Sequence, residues 1–341
     1  MSNLTHQFPN GTYSSGSNAT LTNNANLCTL ETCDLSMSSF LYRPTVAGNA
    51  LFAGIFAACI IGQLFLGIKH KTWGYMVAMI LGLVLEVIGY VARVMIHNSP
   101  FDNNNFLMYL VCLTIAPALL TAAIYLCLGR IVHIYGENLS YFKARTYTVI
   151  FCTCDLISLV LQALGGGIAA SSNDLSGKNL GKNLMLAGLI FQVVSLALFA
   201  LCAGDFALRV MKNKSGWNVK YIDIVNSLLF KSFLVGLVVA SVTIFARSVY
   251  RCAELAGGFN GSLFTSDEAL FMVLEGAMIV IATTCLTVLH PAVAFQGVWH
   301  EANFQFRTKK GVVDGKNQRV NSDVESQSGI EMGQKVPFVQ N

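Results

Sequence analysis

Residues 234–254 read LVGLVVASVTIFARSVYRCAE, an apolar run that leads directly into two arginines and a glutamate. A helix needs about 20 mostly apolar residues to cross a bilayer, and this run, with the residues before it, is long enough. Arg247, Arg251 and Glu254 are spaced i, i+4 and i+7, which places them on one side of the helix. Ionisable groups within or at the edge of a span are costly, so they are usually paired and often functional.

Six further runs of this kind predict an all-α integral membrane protein with seven transmembrane helices. The predicted spans are residues 45–68, 74–97, 106–132, 146–170, 183–210, 225–254 and 267–295. The chain has 341 residues, of which 54% are hydrophobic and only 12% are charged. Soluble domains carry about 25% charged residues, so this composition excludes a soluble globular protein.

The chain divides into a polar segment 1–44, a seven-helix domain 45–298 and a polar tail 299–341 whose composition is typical of disorder. Lysines and arginines are concentrated in the loops after spans one, three and five, and cytosolic loops carry such an excess. We therefore expect the N-terminus outside and the C-terminus in the cytosol, a GPCR-like topology. No basic segment followed by an apolar core stands near Met1, so the first span is expected to act as the signal.

The N-terminal segment carries two further signals of an external location. Asn3, Asn10 and Asn18 each begin an Asn-X-Thr sequon and are glycosylation acceptors if the segment is lumenal. Cys28 and Cys33 stand apart from the cysteines of the apolar runs, and an oxidising compartment would allow them to form a disulfide.

Charged residues within span two suggest a site or a packing contact. Glu86 and Arg93 are seven residues apart, nearly two helical turns, so both lie on one face. An ion pair between helices and a functional role are both open for Glu86. In span three, Pro117 frees a backbone carbonyl and can kink the helix, while Arg130 at the far end is expected to reach lipid headgroups.

Span four carries a polar stripe. Asp155, Ser158 and Gln162 share one side of an otherwise apolar helix, and such a stripe must face protein or a wet cavity rather than lipid. Pairing of Asp155 with an arginine and the lining of a cavity both remain open.

Spans six and seven supply the remaining candidates for a binding site. Arg251 and Glu254 can pair within their helix, which leaves Arg247 to find a partner such as Glu86 or Glu275. Glu268 opens span seven, and Glu275 follows seven residues later on the same face. The pattern predicts a cluster of acids and arginines in the outer half of spans two, six and seven, able to hold the charged head of an amphipathic molecule.

Several kinds of chemistry lack their sequence signals. The glycines 165–167 are not followed by the Lys-Ser/Thr of a phosphate-binding loop, and the histidines are scattered singly, without metal-ligand spacing. We expect no metal, no cofactor, no nucleic-acid partner and no enzymatic activity.

Four motifs together resemble the fungal RTA1-like family, also called lipid-translocating exporters. They are residues 86–93 (EVIGYVAR), 113–117 (LTIAP), 155–167 (DLISLVLQALGGG) and 246–254 (ARSVYRCAE). Leu289-His290-Pro291 also fits, whereas Glu275 stands where an aspartate is expected and an alanine follows Pro291 where glycine is common. The resemblance runs from about residue 40 to 298.

The resemblance implies a multi-pass plasma-membrane protein that releases sphingoid long-chain bases or confers resistance to amphipathic toxins. Family members have been linked to different ligands, including sterol-like compounds and porphyrins. Glu86, Glu254, Glu268 and Glu275 are suitable partners for the ammonium head of a sphingoid base. A seven-helix lipid receptor or sensor is the alternative function, and a lipid-modifying enzyme ranks third.

Overall fold

The computed structural model describes residues 38, 40, 42–141, 143–172, 174–257 and 268–300. The predicted glycosylation sites Asn3, Asn10 and Asn18, the predicted disulfide between Cys28 and Cys33, and the tail from residue 301 lie outside these residues. The three-part division of the chain therefore stays a prediction.

Seven helices in this part of the chain are long and apolar enough to cross a membrane, which confirms the predicted fold class. We number them spans 1 to 7. Their bounds are Val46–Lys69, Trp73–Asn98, Asn103–Tyr135, Ala144–Ser171, Leu175–Lys212, Leu228–Ala256 and Glu268–Ala294. Apolar side chains such as those of Leu51, Ile61 and Leu201 are 60–70% exposed on the outside of the bundle, as suits a surface in contact with lipid.

The starts of spans 5 and 6 differ from the predicted ones because local capping, not hydropathy, determines where these helices begin. Span 5 begins eight residues before the predicted position 183, where the Asp174 carboxylate accepts a hydrogen bond from the Gly177 backbone N–H. Span 6 begins after Ser227, whose extended backbone and hydroxyl cap separate it from a short helix, Ile222–Asn226. A helix of 38 residues is about 57 Å long, so span 5 extends well past the roughly 30 Å hydrocarbon core.

Span 3 lies at the centre of the bundle. Two thirds of its most apolar segment is buried, more than in any other described span. It packs against spans 2, 4, 5 and 6, and further contacts join spans 1 and 2, 4 and 5, 5 and 6, 6 and 7, and 1 and 7. A polar side chain that points inward from span 2, 4, 6 or 7 therefore meets protein rather than lipid.

Spans 4 and 5 approach so closely that their backbones touch. A Cβ atom placed on Gly165 would lie 2.5 Å from the backbone nitrogen of Met185 and 2.6 Å from the carbonyl oxygen of Gly181. A Cβ atom on Gly181 would meet the backbone of Ala169 and Gly165 equally closely. Small residues at membrane-helix contacts allow this kind of approach, so these two glycines fix the distance between the spans.

Span 7 is the least regular of the seven. It begins with the turn Glu268–Phe271, continues as a π-helical turn over Met272–Ala277, and returns to an α-helix over Met278–Val288. After a break at His290, a short helix follows over Pro291–Ala294. Short π-helical segments inside α-helices are found frequently at functional sites, and this one contains Glu275.

Candidate functional site

Six ionisable side chains gather inside the bundle, and we call them the buried charge cluster. Its members are Glu86 and Arg93 of span 2, Arg247, Arg251 and Glu254 of span 6, and Glu275 of span 7. Each is at most 2% exposed. Three guanidinium groups thus share the membrane interior with three carboxyl groups, so each charge can be offset by one of opposite sign.

Glu275 is the centre of the cluster because both arginines of span 6 reach it. Arg247 Nη2 lies 3.0 Å from one Glu275 oxygen, and Arg251 Nη1 lies 3.5 Å from the other. Arg251 also pairs with Glu254 at 2.5 Å within its own helix, as the spacing predicted. The partner predicted for Arg247 is likewise found, since it bonds to Glu275 and lies 4.0 Å from Glu86.

Glu86 is held less tightly than the other two acids of the cluster. Its nearest cation is Arg247 at 4.0 Å, which is beyond hydrogen-bonding distance. Neither of its carboxyl oxygens accepts a hydrogen bond from a described residue, although the side chain is fully buried. Glu86 is therefore the acid in the cluster with the most unused hydrogen-bonding capacity.

Arg93 joins the cluster through neutral and aromatic partners. Its guanidinium donates to Asn49 Oδ1 and to the Tyr42 hydroxyl, each at 3.1 Å, and lies 3.7 Å from the centre of the Phe271 ring. The Tyr109 ring lies between Arg93 and Arg251, and its hydroxyl accepts a hydrogen bond from Arg251. Glu86 and Arg93 share the buried face, as predicted, but neutral groups supply the hydrogen-bond partners of Arg93.

Pro117 explains a contact that the charges alone do not predict. A proline has no backbone N–H, so the carbonyl four residues before it loses its usual helical partner. That carbonyl belongs to Leu113, and Arg247 Nη2 donates a hydrogen bond to it. The proline of span 3 thus creates an acceptor for the arginine of span 6. The pair Leu113 and Pro117 in the sequence was the signal that would have located this contact.

We expect Pro117→Ala and Arg247→Met to have non-additive effects on the free energy of unfolding. Pro117→Ala restores an N–H that competes for the Leu113 carbonyl, so Arg247→Met should cost about 1 kcal/mol less in the Pro117→Ala background than in the wild type. The measurement is a double-mutant cycle on the free energy of unfolding in detergent micelles. Additive effects of the two changes would contradict the assignment, and Pro291→Ala combined with Arg247→Met provides a control cycle remote in sequence from Leu113.

Three predicted site residues lie outside the buried charge cluster. Glu268 accepts hydrogen bonds from the Thr45 backbone N–H at 2.5 Å and from its hydroxyl at 3.0 Å, near the exposed start of span 1. Asp155 and Gln162 are buried, but their partners are Thr121 of span 3 and Gln192 of span 5. The alternative of an arginine partner for Asp155 is wrong, since the observed partner is a neutral hydroxyl.

Arg130 also differs from its prediction. Its side chain is buried, with 7% exposure, and its guanidinium lies 3.5 Å from the centre of the Trp299 ring. The chain after span 7 therefore covers the position from which Arg130 would reach headgroups. Trp299 stands in a mixed polar segment beyond the last apolar run, so hydropathy did not identify it.

An apolar groove of about 430 Å³ lies at the other end of the bundle, between spans 3, 5 and 6. Its lining includes Ile124, Leu128, Phe199, Leu237 and Val242, and the only polar side chains along it are Tyr135 and Ser241. Val242 and Arg247 are five residues apart on span 6, about 7.5 Å along the helix axis. Along span 6, the residues that line the groove therefore end shortly before the first residue of the buried charge cluster.

The fold and site define a class of protein. It has seven membrane spans, paired charges in the interior of the bundle, and an apolar groove further along the same helices. The family model described as "RTA1 like protein" matches residues 79–298. The chain belongs to this family, which confirms the resemblance inferred from its motifs.

Three relatives from Saccharomyces cerevisiae show the range of the family. The sphingoid long-chain base transporter RSB1 is 32% identical over 255 residues, 67% of this chain and 66% of its own length. Protein RTM1 is 28% identical over 62% of this chain and 66% of its own length, and protoporphyrin uptake protein 1 is 28% identical over 59% and 63%. The chain thus spans just under two thirds of the length of these relatives. No solved structure matches it.

Proposed function

We propose that this protein is a plasma-membrane exporter that translocates or releases sphingoid long-chain bases, or similar amphipathic amines, and confers resistance to them. The observation that carries this proposal is the buried charge cluster, in particular Glu86, whose carboxyl group is enclosed by the bundle without a hydrogen-bond donor among the described residues. Buried charges in a bilayer are retained chiefly where they serve substrate or ion pathways.

A sphingoid base suits the two parts of the site. Its ammonium group carries three donors and one positive charge, which a glutamate can accept in a strong, charge-assisted hydrogen bond. Its alkyl chain requires an apolar surface, and the groove between spans 3, 5 and 6 offers one that begins about 7.5 Å from Arg247 along the axis of span 6. Similarity to RSB1 supports a sphingoid base, while the other relatives show that family membership alone does not determine the ligand.

The arginines have a defined role in this proposal. Arg247 and Arg251 neutralise Glu275 and Glu254 when no cationic ligand is near. Arrival of an ammonium group at Glu86 adds a positive charge to a balanced set, so the arginines must move or a carboxylate must change partner. The same binding event thus supplies the electrostatic reason for a conformational change.

The sequence-based topology completes the proposal. With the N-terminus outside, the buried charge cluster lies in the outer half of the bilayer and the apolar groove in the inner half. The protein is proposed to act on the position of the lipid rather than on its covalent structure, so no chemical step and no cofactor is required.

The test is transbilayer movement of a labelled sphingoid base in liposomes that contain the purified protein. We expect movement that depends on the protein and that falls at least about tenfold in Glu86→Gln, since a hydrogen bond to a charged group contributes about 1.5–3 kcal/mol. Asp205→Asn is the matched control, because this exposed acid pairs locally with Arg209. Specific binding of the base without any movement would instead support the sensor function.

A further inference from the structure

Asp155 is a buried acid that the buried charge cluster does not include. Its side chain lies in the middle of span 4 and is 3% exposed. One carboxyl oxygen accepts a hydrogen bond from the Thr121 hydroxyl at 2.8 Å, and the other accepts none from a described residue. The Thr121 hydroxyl and the nearby Tyr125 hydroxyl are both neutral, and they do not replace the hydration of an ionised carboxylate.

No basic side chain stands near Asp155 on the helices that pack around it. Span 3 has no lysine, arginine or histidine before Arg130, span 4 has none after Arg145, and span 5 has none between Lys182 and Arg209. Arg145 is ten residues from Asp155, which is about 15 Å along the helix, and Arg130 is about 13 Å beyond Thr121. Asp155 therefore differs from the acids of the buried charge cluster, which have guanidinium groups within about 4 Å.

The titratable groups that the structure places near Asp155 are a phenol and a thiol, not a basic side chain. Tyr125 faces it from span 3 and Cys152 from its own span. The Tyr125 ring packs on Phe199 of span 5 with 4.5 Å between ring centres, and span 5 has only Cys202 as a titratable group between Lys182 and Asp205. Burial of a carboxyl group in such surroundings costs less free energy when the group is protonated, because the neutral form needs no opposite charge nearby.

We propose that Asp155 is a proton-binding site, and that exchange of this proton couples lipid movement to a proton gradient. The inference rests on the proposed function and adds the energy source. When the contact between spans 3 and 4 opens to water, the O–H bond of the carboxyl group breaks, the proton passes to water and the carboxylate becomes hydrated. When the contact closes, the carboxylate takes up a proton from water and returns to Thr121. No electron is transferred.

The experiment uses the full chain in phosphatidylcholine vesicles with a pH difference of one unit and the membrane potential clamped by potassium and valinomycin. The probe is a labelled N,N,N-trimethyl sphingoid base, whose fixed charge prevents it from carrying a proton itself. It keeps the ionic attraction to Glu86 but has no N–H donor, so movement of the unmodified base is measured beside it. With one proton per lipid, the wild type should accumulate the probe up to about tenfold on one side. Asp155→Asn should move the probe without accumulating it, while Asp155→Glu should restore accumulation. Asp205→Asn is the control acid.

A second measurement detects the proton directly. Infrared spectroscopy of the purified protein should show the carbonyl stretch of a protonated carboxyl group that Asp155→Asn removes. Accumulation by Asp155→Asn equal to the wild type, or a spectrum unchanged by the substitution, would overturn the inference and leave the proposed function intact. Movement of the probe by the wild type without dependence on the pH difference would also overturn the inference and leave the proposed function intact. A wild type that moves neither this probe nor the unmodified base would overturn both.

Discussion

Arg247→Met should lower the free energy of unfolding by about 3–5 kcal/mol, the largest effect that we expect from a single substitution. The change removes one of three guanidinium groups from a set in which every member is at most 2% exposed. Glu275 loses its 3.0 Å partner, Glu86 loses its nearest cation, and the Leu113 carbonyl loses its donor. Breaking a buried pair in this way leaves an uncompensated charge, which explains the size of the cost.

The measurement is denaturant unfolding of the purified protein in detergent micelles, with two comparisons. Arg209→Met removes an arginine from an exposed ion pair, whose side chains are 33% and 48% accessible, and should cost no more than about 1 kcal/mol. Adding Glu275→Met to Arg247→Met removes the stranded carboxylate together with its partner, so the double variant should regain part of the lost stability. Equal costs for Arg247→Met and Arg209→Met would show that the charges of the cluster do not depend on one another.

Gly165→Ala should cost about 1–3 kcal/mol although it adds a single methyl group. The new Cβ atom would lie 2.5 Å from one backbone atom of span 5 and 2.6 Å from another. Backbone atoms in a helix cannot turn aside as a side chain can, so spans 4 and 5 must separate, and overpacking of this kind is destabilising.

Gly167→Ala is the matched control for this prediction, because it lies two residues further on the same helix and has nothing within 4 Å of its Cβ position. Alanine has a higher helix propensity than glycine, so the control should be neutral or more stable by up to about 1 kcal/mol. The same unfolding measurement compares the two variants. A cost in Gly167→Ala as large as that in Gly165→Ala would contradict the close contact of the two backbones.

Contacts within one helix could be predicted from the sequence, whereas most contacts between helices could not. The pairing of Arg251 with Glu254 and the common face of Glu86 and Arg93 follow from helical spacing alone. The separation of Asp155 from the charge cluster depends on which spans are neighbours, and seven apolar helices of similar length do not reveal their packing order. The sequence therefore indicates that Asp155 and Gln162 are buried, but not that their partners are Thr121 of span 3 and Gln192 of span 5.

Glu268 and Arg130 illustrate a second limit. Both were interpreted from their depth in a predicted span, Glu268 as a ligand of the cluster and Arg130 as an anchor at the lipid surface. The actual partners come from segments near the ends of the bundle, Thr45 before span 1 and Trp299 after span 7. Such segments carry no strong periodicity, so neither contact had a signal in the sequence.

The π-helical turn over Met272–Ala277 gives span 7 one residue more per turn than the helix on either side of it. If that extra residue were absorbed, the part of the helix on one side would rotate by about 100° relative to the other. Phe271, which lies against Arg93, and Glu275, which binds Arg247, would then change their relative direction. A shift of this kind would reorient Glu275 inside the bilayer while the helical segments before and after the turn remain folded.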